Sequence, residues 1–213
     1  MTRKTTSKTK RSGASGADPG ARIIAAALEL AVEEGWRNVS LSAIAAKAKL
    51  SLAQVHGVYP SKASILGGFI NDIDQKTLAS GAADAGDSAR DRLFDVLMRR
   101  FDVMAPHKDA LRAILRDGLA DPCNVLCAAP RTLRSMAWML EAAGLSPAGL
   151  QGAARVNGLA LIYAGAVRTW LRDDTGDMAK TMAALDKGLA RAEKITGLCA
   201  RKGRSREGEP AAA

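Results

Sequence analysis

The sequence of 213 residues is long enough for one large domain, or for a small domain joined to a medium one. Apolar residues make up 47% of it and aromatic residues only 4%, and β-branched runs are almost absent, which favours helices packed closely together. No window approaches about 18 uninterrupted apolar residues, and no apolar segment follows the basic N-terminus. We therefore expect a cytoplasmic protein with neither a membrane span nor a secretory signal.

The net charge of +9 is concentrated towards the N-terminus. Residues 1–18 carry five basic side chains and one acidic side chain, and residues 19–66 carry five and three. Residues 67–198 are nearly neutral, with 17 and 16, whereas residues 199–213 carry four and two. A basic end on a neutral body indicates a polyanion that binds from one side; basic tails that only aid solubility are the alternative.

The first elements in chain order are a basic arm and a helix. Residues 1–18 have no apolar period, and we predict that they are disordered. Asp18 is a candidate N-cap, with Pro19 at the first helical position. An apolar stripe follows at helical spacing, and Gly35 is expected to end this helix.

Two short helices and a longer one follow. Ser40 is the next predicted N-cap, and residues 49–51 separate a short second helix from a short third one. Pro60 ends the third helix, and Ser61 caps the fourth. A polar break at residues 81–87 then separates this module from the rest of the chain.

The remainder of the chain is predicted to be helical up to a polar tail at residues 199–213. Proline and glycine residues set the expected boundaries. The predicted helices are 88–104, 108–119, 131–143, 147–172 and 176–198. The sequence therefore predicts an all-α fold with an N-terminal domain at 19–66 and a larger helical domain at 67–198.

The second and third helices form a candidate helix-turn-helix, because two short helices are joined by three residues. Ile44, Ala45 and Val55 would face inward. Short or polar side chains would face outward, as a helix in a DNA major groove requires. The first turns of the second and fourth helices also favour phosphate. An ordinary helical hairpin with a polar surface is the alternative. The candidate contacts are Ser42, Ser51, Leu52, Ala53, Gln54, His56 and Lys62.

Residues 19–70 carry a pattern of apolar pairs, caps and a Tyr-Pro-Ser-Lys tetrapeptide without gaps. It resembles the DNA-binding domain of the TetR family of transcription regulators. The resemblance implies that the third helix reads bases and that Tyr59 and Lys62 contact phosphate. The matching residues are Ile23-Ile24, Ala27-Leu28, Gly35, Ser40-Leu41, Ile44-Ala45, Ala48, Ser51, Tyr59-Pro60-Ser61-Lys62 and Ile65-Leu66.

Three positions depart from the family pattern. Lys49 stands where the family usually has glycine, His56 where it has tyrosine, and Val58 where an aromatic residue is usual. The lysine costs conformational freedom in the turn. Together the departures imply an altered operator or weaker anchoring, which the basic arm would offset.

The body, at about residues 88–195, carries a second pattern, in segments 92–98, 100–102, 170–174 and 180–186. It is similar to TetR-fold proteins related to the ubiquinone-biosynthesis lipid-binding protein, and this implies an apolar pocket for a lipid-like effector. The basic segment 201–206 has no apolar face, so we expect no stable membrane association. Plain core packing is the alternative for the candidate pocket residues, which are Phe101, Met104, Leu111, Leu115, Met136, Met139, Leu140 and Tyr163.

The last two predicted helices carry a candidate dimer interface. Apolar residues repeat at near-heptad spacing in the last helix, and glycines inside the preceding one cost about 1 kcal/mol each relative to alanine. Close approach of a partner helix would explain the glycines, although packing within one chain is equally open. A protein that reads two half-sites favours a homodimer. The candidate interface residues are Gly158, Leu161, Gly165, Met182, Leu185 and Leu189.

The sequence offers no catalytic or metal-binding motif. The three cysteines, Cys123, Cys127 and Cys199, are expected to be free thiols, and the two histidines lie far from them. We expect no enzyme and no cofactor. The predicted function is a dimeric regulator, a repressor, that binds double-stranded operator DNA and responds to an apolar effector. The alternative is a lipid-binding protein of the same fold without operator function.

Overall fold

A computed structural model describes residues 18–81, 84, 86–118 and 122–204. Within two helix segments, 122–127 and 195–204, only the backbone is described. The predictions for residues 1–17 and 205–213 lie outside this part of the chain. The prediction for the three thiols concerns side chains outside the described ones. The described residues contain helices and no strand, which confirms the all-α fold class.

The helices follow one another with short connections. A 3₁₀ turn, Ala105–His107, links the fifth helix to the sixth. The helices are α1 (Pro19–Glu34), α2 (Leu41–Lys47), α3 (Leu52–Val58), α4 (Lys62–Ala79), α5 (Ala89–Met104), α6 (Lys108–Gly118), α7 (Pro122–Ala142), α8 (Gly149–Trp170) and α9 (Ala179–Arg204).

Local signals start α1 and α2, and end α1, as predicted. The Asp18 carboxylate accepts the Ala21 N–H at 3.3 Å, and the φ of Gly35 after α1 is +80°. Ser40 caps α2, where its hydroxyl accepts the Ala43 N–H at 3.1 Å. These side chains satisfy N–H groups that have no partner inside the helix.

The turn between α2 and α3 contains Lys49 in the left-handed region, with φ +53°. A side chain there costs about 1–2 kcal/mol relative to glycine. The Arg22 guanidinium of α1 donates to the carbonyls of Ala48 at 2.5 Å and Lys49 at 3.2 Å. These two bonds tie the turn to α1 and help to hold it in the left-handed conformation.

Helix α4 joins the N-terminal module to the body. It packs against α1 on one side and against α5 and α7 on the other. The predicted domain boundary between residues 66 and 67 therefore falls inside a continuous helix. Hereafter the head is residues 18–61 and the body is residues 86–118 and 122–204.

Helices α8 and α9 form the closest helix pair of the body. A Cβ on Gly188 of α9 would lie 2.7 Å from the Ile162 side chain of α8. The glycine thus permits an approach that any larger residue would prevent. Among the described residues, no helix is long and apolar enough to cross a membrane.

The bounds of three predicted body helices were wrong. Helix α7 begins at Pro122 rather than at residue 131, and Pro130 lies inside it. Proline removes one helical hydrogen bond, but the helix continues through it to the buried residues Met136 and Met139. Helix α8 is shorter than predicted, and α9 starts later and runs further, to Arg204.

Candidate functional site

The third helix is anchored by one side chain and exposed over its first turn. Val55 is buried, at 1% exposed, against a head core that includes the buried residues Ile44 and Ala45. Ser51, Leu52, Ala53, Gln54 and His56 are all exposed. The structure therefore brings the predicted reading residues onto one open surface.

A capping box organises the first turn of α3. The Ser51 hydroxyl accepts the Gln54 N–H at 3.2 Å, and the Gln54 amide oxygen accepts the Ser51 N–H at 2.8 Å. The pair satisfies two backbone positions that the helix itself leaves open. It also directs the Gln54 oxygen back along its own chain.

A shallow depression of about 400 Å³ lies beside this turn. Its walls are mostly apolar, and Ser42, His56 and Tyr59 also line it. Leu52 forms part of the wall although its side chain is 54% exposed. The apolar remainder of the lining is Leu41, Val55 and Pro60.

Ser42, in the first turn of α2, is exposed on the same side as this depression. Its hydroxyl lies 2.9 Å from the Ser40 hydroxyl that caps the helix. A hydroxyl both donates and accepts, so Ser42 can bond to Ser40 and still contact a phosphate.

Tyr59 is held between α1 and α4. Its ring fills the space left by Gly20 and Gly68, and a Cβ on Gly68 would overlap the phenol. Burial raises the pKa of the Tyr59 hydroxyl, and the carboxylates of Asp18 and Asp72 raise it further. The side chain is half-buried, and it also lines the depression beside α3.

Lys62, the first residue of α4, makes contacts with the head that the sequence did not indicate. Its ammonium donates to the carbonyls of Trp36 at 2.5 Å and Val39 at 2.7 Å, and lies 4.6 Å from the centre of the Trp36 ring. Burial lowers the pKa of Lys62, and the Asp117 carboxylate opposes the shift. Two of its three N–H groups are used, which leaves one for another acceptor.

Charge pairing reduces the positive field of the head. Lys47 lies 2.5 Å from Glu33 and 3.3 Å from Glu29 of α1. The Arg22 guanidinium donates to the carbonyls of the α2–α3 turn, as described above. The number of basic residues in the head therefore overstates the positive charge that it offers to a polyanion. The basic arm becomes correspondingly more important for binding.

Six of the eight candidate pocket residues of the body are buried. Phe101, Met136 and Met139 are 0% exposed, and Leu140 is 1% exposed. No void that admits a water molecule borders such side chains. Leu111 and Leu115 of α6 are half-buried, whereas Met104 and Tyr163 belong to the buried core.

A buried polar cluster lies beside these residues, and sequence reasoning missed it. Arg100 of α5 pairs with Asp74 of α4, and its Nε donates to the Tyr163 hydroxyl at 3.0 Å. The Ser135 hydroxyl of α7 donates to Asp74 at 2.6 Å. The cluster ties α4 to three body helices. The available signal was that Arg100 falls on the apolar stripe of α5, between Leu97 and Met104.

A second buried carboxylate organises the start of α9. Asp173 accepts the Thr181 N–H at 2.9 Å and the Thr181 hydroxyl at 2.8 Å, and it also accepts the Thr175 hydroxyl. These hydrogen bonds, led by that of Thr175, hold the pKa of the carboxyl well below its usual range. Among the described residues, no group of three potential ligands could hold a metal ion.

The candidate interface residues separate into two sets. Leu185 and Leu189 are 0% and 5% exposed within one chain, so their side chains pack inside the chain and leave little surface for a partner. The α9 stripe faces its own α8 and α5. Met182 is half-buried.

The α8 residues of the candidate interface lie on the outside. Leu161 is 77% exposed, and a Cβ on Gly158 or Gly165 would meet no atom within 4 Å. The glycines therefore serve no close contact within the chain. Gly152 differs, because a Cβ there would overlap the Pro147 backbone.

Comparisons with known proteins agree with this arrangement of head and body. Residues 23–67 match the family described as bacterial regulatory proteins, tetR family. A TetR transcriptional regulator from Nitrosomonas europaea is 26% identical, with a TM-score of 0.66 over 83% of this chain and 99% of that chain. A TetR regulator from Rhodococcus sp. RHA1 is 19% identical, with a TM-score of 0.61 over 81% and 93%.

A third solved structure shares the fold at lower identity. It is a TetR-family regulator from Shewanella sp. PV-4, 16% identical, with a TM-score of 0.57 over 82% of this chain and 97% of that chain. The search of curated proteins gives no significant match. The family match lies in the head and the start of α4, so the relation of the body to the lipid-binding branch stays a prediction.

Proposed function

We propose that this chain is a DNA-binding transcription regulator of the TetR family, supported by the match of residues 23–67 and by the similar solved structures, and that it is a repressor that binds a two-fold operator as a homodimer and responds to an apolar effector. The exposed first turn of α3 carries the proposal. Four consecutive residues, 51–54, face solvent while Val55 anchors the helix. A helix held in this way can enter a major groove without moving the core.

Phosphate contacts would surround the reading turn. Ser42 and His56 are exposed beside it, and Lys62 retains one N–H for a phosphate oxygen. The half-buried Tyr59 would contact a phosphate from the wall of the depression. Such contacts position a protein on DNA and make its affinity depend on salt.

Selection from a random pool of DNA duplexes tests operator binding. We expect the full-length protein to enrich a palindromic site with half-sites about one helical turn apart. Ala53→Glu should weaken binding at least tenfold, because it places a carboxylate among phosphates. Leu78→Glu adds the same charge near the far end of α4, about 24 Å along that helix from Lys62. This variant should bind almost as the wild type does. Enrichment of no sequence would contradict operator function.

The dimer would form through the outward face of α8. Exposed Leu161 lies between two glycines that leave room for a second helix, and small residues permit close approach of helix backbones. A two-fold axis through this face would pair two heads for the two half-sites.

Sedimentation of the full chain tests this interface. Leu161→Glu should convert the dimer to monomers, because burying an unpaired charge costs several kcal/mol. Val32→Glu on α1 is a matched control, since Val32 is also exposed, at 55%. If Leu161→Glu stays dimeric at micromolar concentration, the interface lies elsewhere.

The effector would enter the body between α5, α6 and α7. Methionines adapt to irregular shapes, and three of them, Met104 of α5 and Met136 and Met139 of α7, are buried in this part of the body. Because these side chains fill the core, a ligand would have to displace them. The effector would need to favour one dimer geometry by about 1.4 kcal/mol to change operator affinity tenfold.

A panel of fatty acids, acyl esters and quinones tests the effector proposal. An effector at 100 times its Kd should raise the stability by about 2.7 kcal/mol and lower operator affinity. A reporter with the selected operator downstream of its promoter should be silenced by the protein and restored by the same compound. If no compound changes either quantity, the body is a solid dimerisation core.

A further inference from the structure

The first turn of α3 presents an apolar side chain where a DNA-reading helix commonly presents a polar one. Leu52 is 54% exposed, at the wall of the depression between α2 and α3. Its neighbour Ala53 is exposed too and ends at Cβ. Neither residue is needed for the core of the head, because Val55 alone anchors the helix there.

The polar residue of this turn is already engaged. Reading adenine with both groups of a glutamine amide requires its oxygen to accept from N6 while its nitrogen donates to N7. The Gln54 oxygen instead accepts the Ser51 N–H at 2.8 Å. Breaking the capping box would leave that N–H without its partner. The amide nitrogen that remains can donate to adenine, guanine or thymine, so on its own it discriminates poorly.

Apolar contact, in contrast, distinguishes one base from the others. In the major groove thymine alone among the four bases presents a methyl group, at C5. A leucine beside a methyl group removes apolar surface of both from water. The small side chain of Ala53 lets the turn approach the base edges closely.

We infer that Leu52 is a specificity-determining residue that contacts the C5 methyl of a thymine in each operator half-site. The inference rests on the proposed function, since it requires α3 to lie in the major groove. It assigns the sequence preference at this position to an apolar contact rather than to Gln54.

Replacing thymine by deoxyuridine tests this contact, because the replacement removes only the methyl group and keeps the hydrogen-bonding pattern. The selected operator is synthesised with deoxyuridine at each thymine of both half-sites in turn. One position should lose about fourfold in affinity per methyl group, and about fifteenfold for the two half-sites together. The other thymines should change little.

Three variants of the full chain assign the effect to a side chain. Leu52→Ala should bind the thymine and deoxyuridine operators equally, whereas Leu52→Met, which keeps an apolar side chain of similar length, should retain most of the preference. Val58→Ala is the matched control, because Val58 is also apolar and exposed, at 43%, and does not line the depression. Its preference should equal that of the wild type. Circular dichroism verifies that each variant is folded.

Each contrary result is distinct. Equal affinity of the wild type for all substituted operators, or a preference that persists in Leu52→Ala, would overturn the assignment while leaving operator binding intact. A selected half-site without thymine would do the same. Failure to select any DNA would overturn the proposed function, and the inference with it.

Discussion

The head and the body use their polar side chains in different ways. In the head, Asp18, Ser40 and Ser51 bond to backbone groups three residues away. In the body, Arg100 bonds to partners 26 and 63 residues away, and Ser135 reaches a partner 61 residues away. The caps of the head are therefore local, although Arg22 also ties its turn across 26 residues, whereas the Arg100 cluster of the body consists of contacts that only the folded chain brings together.

This difference matters for the proposed function, in which effector binding in the body changes DNA binding by the head. Local caps let the head keep its shape while it moves as a unit. The Asp74–Arg100 pair instead links α4, the helix that enters the head, to α5, and Ser135 extends the link to α7. A change in the body would be transmitted to the head through a connection of this kind.

The largest expected effect follows from breaking the long-range cluster. Arg100→Met removes the charged partner of the largely buried Asp74 and leaves it only the Ser135 hydroxyl, and we expect the free energy of unfolding to fall by about 3–5 kcal/mol. Urea unfolding at pH 7 and fixed protein concentration measures it. The double variant Arg100→Met/Asp74→Leu should recover at least half of the loss, because no unpaired charge remains. A single variant that loses less than about 1 kcal/mol would show that the pair does not fasten the body.

Lys62, at the start of α4, joins the head through partners that are distant in sequence, Trp36 and Val39. Lys62→Met keeps the alkyl stem and removes two charged hydrogen bonds, so we expect a loss of about 1–2 kcal/mol after allowing for solvent exposure. Thermal unfolding tests this, with Lys180→Met at an exposed site as control. Unchanged stability, together with a DNA salt slope reduced by about 1, would assign Lys62 to phosphate alone.

Removing one local cap should cost less. Ser40→Ala deletes the acceptor for the Ala43 N–H, and we expect a loss of about 1 kcal/mol. Chemical denaturation of the full chain measures it, with Ser42→Ala as the neighbouring hydroxyl control. A loss as large as that of Arg100→Met would contradict the idea that the caps act locally.

The smallest effect is a gain. Lys49→Gly relieves the left-handed backbone at φ +53°, partly offset by the greater freedom of glycine in the unfolded chain. We expect about 0.5–1 kcal/mol of added stability. Lys49→Ala, which removes the charge but keeps a Cβ, should give no gain. If both variants are equally stable, the turn is not strained at this position.

The candidate reading surface was largely predictable, because it depends on short-range signals. The exposure of Ser51, Leu52, Ala53, Gln54 and His56 follows from helix periodicity once Val55 is placed inward. The engagement of the Gln54 oxygen could also have been anticipated, since Ser-x-x-Gln is the spacing of a capping box.

Other site features could not be foreseen from periodicity. An apolar stripe has the same spacing whether it faces its own chain or a partner, and therefore Leu185 could not be distinguished from Leu161. Pro130 by itself predicts a helix end. The helix α7 nevertheless continues through it, and Met136 and Met139 beyond it are buried.

The sequence by itself determined the order of the helices, the caps of the head and the family resemblance of residues 19–70, because these depend on side chains within a few residues of one another. Only the tertiary structure decided that Lys62 bonds to the α1–α2 connection, that Arg100 and Asp74 meet, and that the α8 glycines lie on an open face. Each of these depends on which helix faces lie against each other. That choice is made by packing over the whole core, and no local pattern encodes it.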